Sequence, residues 1–213
     1  MIDVTRQINA ADRTVSARML DKGEGRTVTI SQTYATDLDD LWDACTNAER
    51  LPRWFLPVSG ELRLGGRYQL EGNAGGTVER CDPPHGFPAT WEYEGSVSWI
   101  EVRLTAVSEA STRFALEHVF YIGNDHWTEF GPGAAGIGWD MSFLGLFLYL
   151  SSGGTADPAQ VEAWFATDDG RRFLTSSADA WCAADITGGA DPDVARGMAD
   201  RSGAAYAAVP EQA

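Results

Sequence analysis

The stretch Phe87-Pro88-Ala89-Thr90-Trp91-Glu92-Tyr93, closed by Glu94-Gly95, decides the architecture. Its apolar residues recur at every second position, the period of a strand with one covered face. Ser98–Ala106 resumes the alternation with Ile100, Val102 and Leu104 on one side. Thr112–Phe120 repeats it with Phe114, Leu116, His118 and Phe120. Short turn-like breaks at 83–86, 94–95 and 109–111 leave no room for parallel crossovers, so the strands read as an antiparallel meander.

Working outward, Gly76–Asp82 extends the meander, and Glu61–Leu64 and Arg67–Glu71 read as a hairpin across Gly65-Gly66. Before them, Leu38, Leu41, Trp42 and Cys45 fall at helical spacing behind a cap at Thr36 or Asp37, and a second helical piece covers Glu49 to Phe55. Thr27–Tyr34 is a strand with Val28, Ile30 and Gln32 on one face. Ahead of it, Thr14–Leu20 alternates partially up to a turn at Asp21-Lys22-Gly23-Glu24-Gly25, and residues 1–13 read as a polar, poorly fixed start. After the meander, Gly136–Leu150 predicts a helix apolar on most of its circumference, with Trp139, Phe143, Phe147 and Leu150 in one stripe; such a helix is buried on more than one side. Residues 168–206 read as an alanine-rich helical extension broken near Thr187-Gly188-Gly189. The expectation is an α+β fold: a curved antiparallel sheet of six to seven strands around a long C-terminal helix, with two short helices after the first strand. Its segments are 1–26, an N-terminal piece able to add a strand; 27–150, a ligand-binding domain; and 151–213, a helical extension packed on the same domain.

A formal net charge of −15 argues against nucleic acid, whose phosphates need a positive field. The most apolar stretch, Ile137–Leu150, is shorter than a membrane span and contains Asp140, and the first residues lack an apolar signal core, so a cytoplasmic location without membrane insertion is expected. Cys45, Cys81 and Cys182 are too scattered for a zinc or redox motif. Eight tryptophans point to a ring-lined core, cavity or interface.

The chain resembles the helix-grip fold of the START and pollen-allergen superfamily, often labelled SRPBCC. Within it, the chain is most similar to homologues of the activator of the heat-shock-protein-90 ATPase. The residues that carry this are 34–44 (Tyr34 to Ala44), 49–55 (Glu49 to Phe55), 60–68 (Gly60 to Tyr68) and 89–93 (Ala89 to Tyr93), and the resemblance spans residues 27 to 150. It implies an apolar ligand held between sheet and long helix, with some superfamily members acting as cyclases or hydrolases. It implies no chaperone role, since the separate N-terminal domain of the eukaryotic activator has no counterpart in residues 1–26.

The expected cavity wall is Trp42, Trp54, Phe55, Tyr68, Trp91, His118, Trp139 and Phe143. His118 is the one catalytic candidate: it could act as a base with an acid from the 125–140 region, or be a hydrogen-bonded core histidine. A metal site from His118, His126, Glu129 and Asp140 matches no compact ligand pattern, so no metal and no cofactor are expected. Gly131-Pro132-Gly133-Ala134-Ala135-Gly136 matches G-x-G-x-x-G, but without a parallel strand–turn–helix unit it reads as a hinge-like loop with closely packed glycines. The expected function is binding of a small hydrophobic or aromatic molecule. The alternatives are an enzyme using His118, or an interaction module whose tail helices, Trp127 and Trp164 meet a protein partner or a second copy.

Overall fold

The computed structural model describes residues 2–21, 23–122 and 125–208. Eight strands form one antiparallel sheet: β1 (Ala11–Leu20), β2 (Gly23–Tyr34), β3 (Val58–Gly60), β4 (Arg67–Leu70), β5 (Gly75–Thr77), β6 (Gly86–Tyr93), β7 (Ser96–Ser108) and β8 (Ser111–Tyr121). Their order is β1-β2-β8-β7-β6-β5-β4-β3. The fold is α+β, as expected, with one or two more strands than the alternation alone supplies.

The additional strands come from local departures. β1 and β2 form the expected N-terminal hairpin with a turn shorter than Asp21–Gly25; Lys22 in that turn lies outside the described residues. The expected two-glycine hairpin does not form: β4 pairs with Val58–Gly60, and residues 61–66 are a connecting loop. The loop folds on itself instead, Gly66 donating to the Arg63 carbonyl and Gly65 to that of Val78. A methyl at Gly66 would lie 2.2 Å from the Glu61 carbonyl oxygen, so that glycine serves the loop's closure. The strand expected over Gly76–Asp82 shortens to β5, followed by isolated bridges Val78↔Ala89 and Asp82↔Gly86. At Glu94-Gly95 both residues take positive φ, 48° and 78°, the turn whose twist matches a tight hairpin.

The chain divides into two compact units. One comprises Met1–Ile30, Tyr121–Leu144 and Ala159–Ala213; the other comprises Ser31–Phe120 and Gly145–Pro158. In the first unit, Val4–Ala10 is a helix, α1, where a poorly fixed start was expected. Asp3 caps it by accepting from the Arg6 amide, and Val4, Gln7 and Ile8 are buried. Seven residues are too few for a periodic signal, yet the cap and the Val4/Ile8 spacing of four are the marks of this helix. α2 (Leu38–Thr46), capped by Asp37, and a 3-10 turn at Leu51–Arg53 belong to the second unit. Further on come α3 (Asp125–Phe130), α4 (Gly133–Ser151), α5 (Pro158–Phe165), α6 (Asp168–Thr187) and α7 (Pro192–Ala207). The break between the last two falls at Gly188 and Gly189, where the sequence places it.

α4 is longer than expected. Its 19 residues are enough to cross a membrane by length and composition alone, although 56% of its apolar window is buried. Asp140 in its first half forms a bidentate ion pair with Arg13, at 2.6 and 3.0 Å. Arg13 also donates to the carbonyls of Ile8 and Ala11, and Asp140 accepts from Ser177 Oγ at 2.6 Å and Trp181 Nε1 at 2.9 Å. With its lone pairs satisfied, the buried carboxylate ties α4 and α6 to the start of β1. The glycine-rich stretch is mostly the first turns of α4. A methyl at Gly133 would lie 2.2 Å from Ser202 Oγ of α7, and one at Gly136 2.4 Å from the Trp181 ring of α6, so these glycines let three helices approach closely.

Candidate functional site

The strand registers of the second unit define one ring-rich face. Phe87 opposes Val102, Ala89 opposes Ile100 and Trp91 opposes Ser98 between β6 and β7. Leu104 opposes Phe114, Val102 opposes Leu116 and Ile100 opposes His118 between β7 and β8. Tyr68 opposes Gly76 on the far side. Directly paired residues share a face, so Phe87, Ala89, Trp91, Ser98, Ile100, Val102, Leu104, Phe114, Leu116 and His118 lie together, with Phe120 two residues beyond His118. The charged residues of these strands take the opposite parity and pair there, Arg67 with Glu92 and Arg103 with Glu101.

His118 sits within this face. Its ring lies 4.0 Å from that of Phe120 and 5.7 Å, edge-on, from that of Trp91. Nε2 is 2.8 Å from Ser98 Oγ, and Ser98 Oγ donates to the Trp91 carbonyl at 3.1 Å. The Ser98 hydroxyl has one proton for these two contacts, and the tautomer of His118 decides which member of the pair donates. Burial pushes the His118 pKa down from 6.5 to about 3, because the apolar surroundings disfavour the imidazolium. The imidazole is neutral at physiological pH.

Other expected wall residues take varied places. Trp42 of α2 meets Phe87 edge-on at 6.2 Å. Trp54 stacks on Phe55 at 5.5 Å, and its Nε1 donates to the Ala44 carbonyl, fastening the 3-10 turn to α2. Tyr68 extends over Gly76 and donates to the Thr90 carbonyl at 2.7 Å, so its hydroxyl is committed to holding β4 to β6. Trp139 and Phe143 are buried and belong to the first unit. The aliphatic centre of the ring-rich face is closed, Ala89 being 1% and Leu104 2% exposed. Its rings at Phe87, Trp91 and Phe120, and those of Trp42, Trp54 and Phe55, stay half-buried.

Two groups of the second unit went unread in the sequence. Ser98 carried no motif; only its position opposite Trp91 gives it a role. Arg50 donates to Asp40, Asp43 and the Tyr149 hydroxyl, each at 2.9 Å, with its guanidinium 5.4 Å from the Tyr149 ring centre. It joins α2 to the end of α4, and the hydrogen bonds to Arg50 and Thr36 hold the Asp40 carboxyl below its usual range against the effect of burial.

A base whose conjugate acid has a pKa near 3 takes little proton density from a serine hydroxyl. His126 and Glu129 are exposed on α3 and Asp140 is committed to its network, all in the first unit; the side chain of Asp125 lies outside the described residues. Ser142 donates to the Gly138 carbonyl. Among the described residues no group of three His, Cys, Asp or Glu side chains is placed to hold a metal ion.

The family model for "Activator of Hsp90 ATPase homolog 1-like protein" matches residues 35–150, more than half the chain. The chain belongs to this family. The family segment holds the ring-rich face, the Ser98–His118 pair and all of α4 but its last residue. CalU16 from Micromonospora echinospora is 32% identical in its crystal structure, with 82% of this chain and 98% of that one covered and a TM-score of 0.65. PFC0360w from Plasmodium falciparum, described as an HSP90 activator, is 23% identical over 60% of this chain and 96% of its own, with a TM-score of 0.51. MLL2253 from Mesorhizobium loti is 19% identical over 60% and 98%, with a TM-score of 0.53. The last two likenesses establish the fold alone. No curated protein matches the chain.

Proposed function

We infer that the second unit binds a small, apolar, ring-bearing molecule against the face shared by Phe87, Trp91, Ser98, His118 and Phe120. The observation that carries this reading is the contrast across that face: the aliphatic side chains and Phe114 are closed off, while the rings of Phe87, Trp91 and Phe120 remain half-buried. Rings held by a rigid sheet offer stacking area at small entropic cost. The neutral Ser98–His118 pair adds polarity without charge, which suits a ligand carrying one or two hydrogen-bonding groups. The depressed basicity of His118 favours binding over turnover. No metal or cofactor enters the reading.

The test is titration with N-phenyl-1-naphthylamine, a neutral two-ring probe that brightens when desolvated. The expected result is saturable one-to-one binding, weakened by about tenfold or more in Trp91→Ala, since losing a stacked ring forfeits roughly 1.5 kcal/mol or more. Absence of saturable binding by the folded wild-type protein, or equal binding by the variant, refutes the reading.

A further inference from the structure

β3 stands at the end of the sheet order with β4 as its one neighbour. The bonds on that side fix which way its backbone groups point. Pro57 accepts from the Glu71 amide at 2.9 Å, and the Glu61 amide donates to the Arg67 carbonyl at 2.8 Å. Across a planar trans peptide the N–H and C=O point in opposite directions. The Val58 N–H and the Gly60 C=O therefore aim away from β4. By the alternation of the ladder so do the Val58 C=O and the Gly60 N–H. Among the described residues none of these four groups has a hydrogen-bond partner.

An open edge is a template for another strand, and proteins blunt it with charges, proline or bulges. β1, at the other end of the order, carries Asp12, Arg13 and Arg18. Val58-Ser59-Gly60 carries no charge and no proline, and its register with β4 is unbroken. Position 60 presents backbone alone, since a methyl there would lie 2.2 Å from the Arg67 carbonyl oxygen. Apolar side chains flank the strand: Leu56 is half-buried, and Leu62 and Leu64 are 37% and 60% exposed.

We propose that β3 is a docking edge for a second copy of the chain, the two β3 strands pairing antiparallel about a two-fold axis at Ser59. In that register Val58 lies opposite Gly60 of the other copy, so the outward groups of the two strands close into four hydrogen bonds. Charge fits the same occupant. Where the chain enters β3 it brings Arg53, and Glu71 is bonded at that end; both are exposed and free of ion pairs among the described residues. Where the chain leaves β3 it brings Glu61 and Arg63, 60% and 71% exposed and paired with each other. Antiparallel pairing sets these unlike ends side by side, each with one acid and one base, although the chain as a whole carries −15. Three residues per strand bury less than the roughly 1,200 Å² at which standard interfaces begin, so the dimer is transient, with a dissociation constant on the order of 0.1 mM. The proposal does not rest on ligand binding by the ring-rich face.

The experiment is analytical ultracentrifugation of the full chain from about 5 µM to about 1 mM, a range that brackets such an affinity, with thiol cross-linking to read the register. The wild type is expected to pass from monomer to dimer across that range. Val58→Pro removes one outward donor from each copy and no bond to β4, and should weaken association by about tenfold or more, the worth of two hydrogen bonds. Ser59→Cys, in a Cys81→Ser background, sets two thiols at directly opposed positions with Cα atoms about 4.5 Å apart, within disulfide reach. It should give a covalent dimer on mild oxidation. Gln69→Cys, one strand inward, should not. The proposal is overturned if the wild type stays monomeric at the highest concentration, which leaves an extended segment of another protein as the occupant. It is equally overturned if Val58→Pro associates as the wild type does, or if Gln69→Cys cross-links as fast as Ser59→Cys.

Discussion

The indole of Trp181 fills the space that a side chain at Gly136 would need. A methyl there would lie 2.4 Å from the ring, and the same indole donates to Asp140, one turn further along α4. Ring and glycine are one device: the bare backbone admits the indole, and the indole satisfies the buried acid. Gly136→Ala should therefore destabilise the protein by about 1–3 kcal/mol, the usual cost of overpacking, despite the better helix propensity of alanine. A denaturation midpoint unchanged from wild type would contradict this.

Asp140→Ala should be worse, by about 3–5 kcal/mol, because it strands the Arg13 guanidinium in a buried setting. The double variant Arg13→Met/Asp140→Leu should recover much of the loss, since it removes both charges. Equal unfolding midpoints for the single and double variants would show that the pair is not coupled.

His118 links stability to pH. Its folded pKa of about 3 lies below the 6.5 of the free side chain, so the unfolded chain binds the extra proton. The contribution is fully present above pH 6.5 and is lost as pH falls from there toward 3, for a total on the order of a few kcal/mol. Unfolding curves between pH 7 and 4 should lose part of their slope in His118→Leu. An identical pH dependence in the two proteins would mean that the imidazole is not buried as described.

Cysteine reactivity offers a simpler check. Cys45 and Cys182 are buried and Cys81 is half-buried, all as free thiols, and burial pushes the Cys45 pKa up to about 12. In the native protein one thiol, Cys81, should react rapidly with an aromatic disulfide reagent, and the other two only on unfolding. Fast native reaction of a second thiol, with Cys81→Ser still reacting, would contradict the packing of α2 or α6.

Much of the fold was legible because its signals are periodic. The alternation at 87–93, 98–106 and 112–120 gave strands with the expected faces, and the glycines at 188 and 189 marked the break between α6 and α7. What escaped was short or paired through space. Val58–Gly60 has no alternation to display and exists as a strand because β4 is beside it. The seven residues of α1 sit below the length at which a helical period emerges. The site was legible as a composition of rings but not as an arrangement. Trp91 and His118 share a face, as parity demanded, but the neighbour that matters to both, Ser98, is identified only by register. Nothing in the sequence around Tyr68 announced that its hydroxyl donates to the Thr90 carbonyl.

The most direct test of ligand binding by the ring-rich face is the indole NH region of a two-dimensional NMR spectrum recorded while N-phenyl-1-naphthylamine is added. The account predicts saturable shifts at Trp91, with Trp181 of the first unit unmoved because its NH is held by Asp140. A Trp91 signal indifferent to the probe at saturation, or shifts confined to tryptophans outside the second unit, would contradict it.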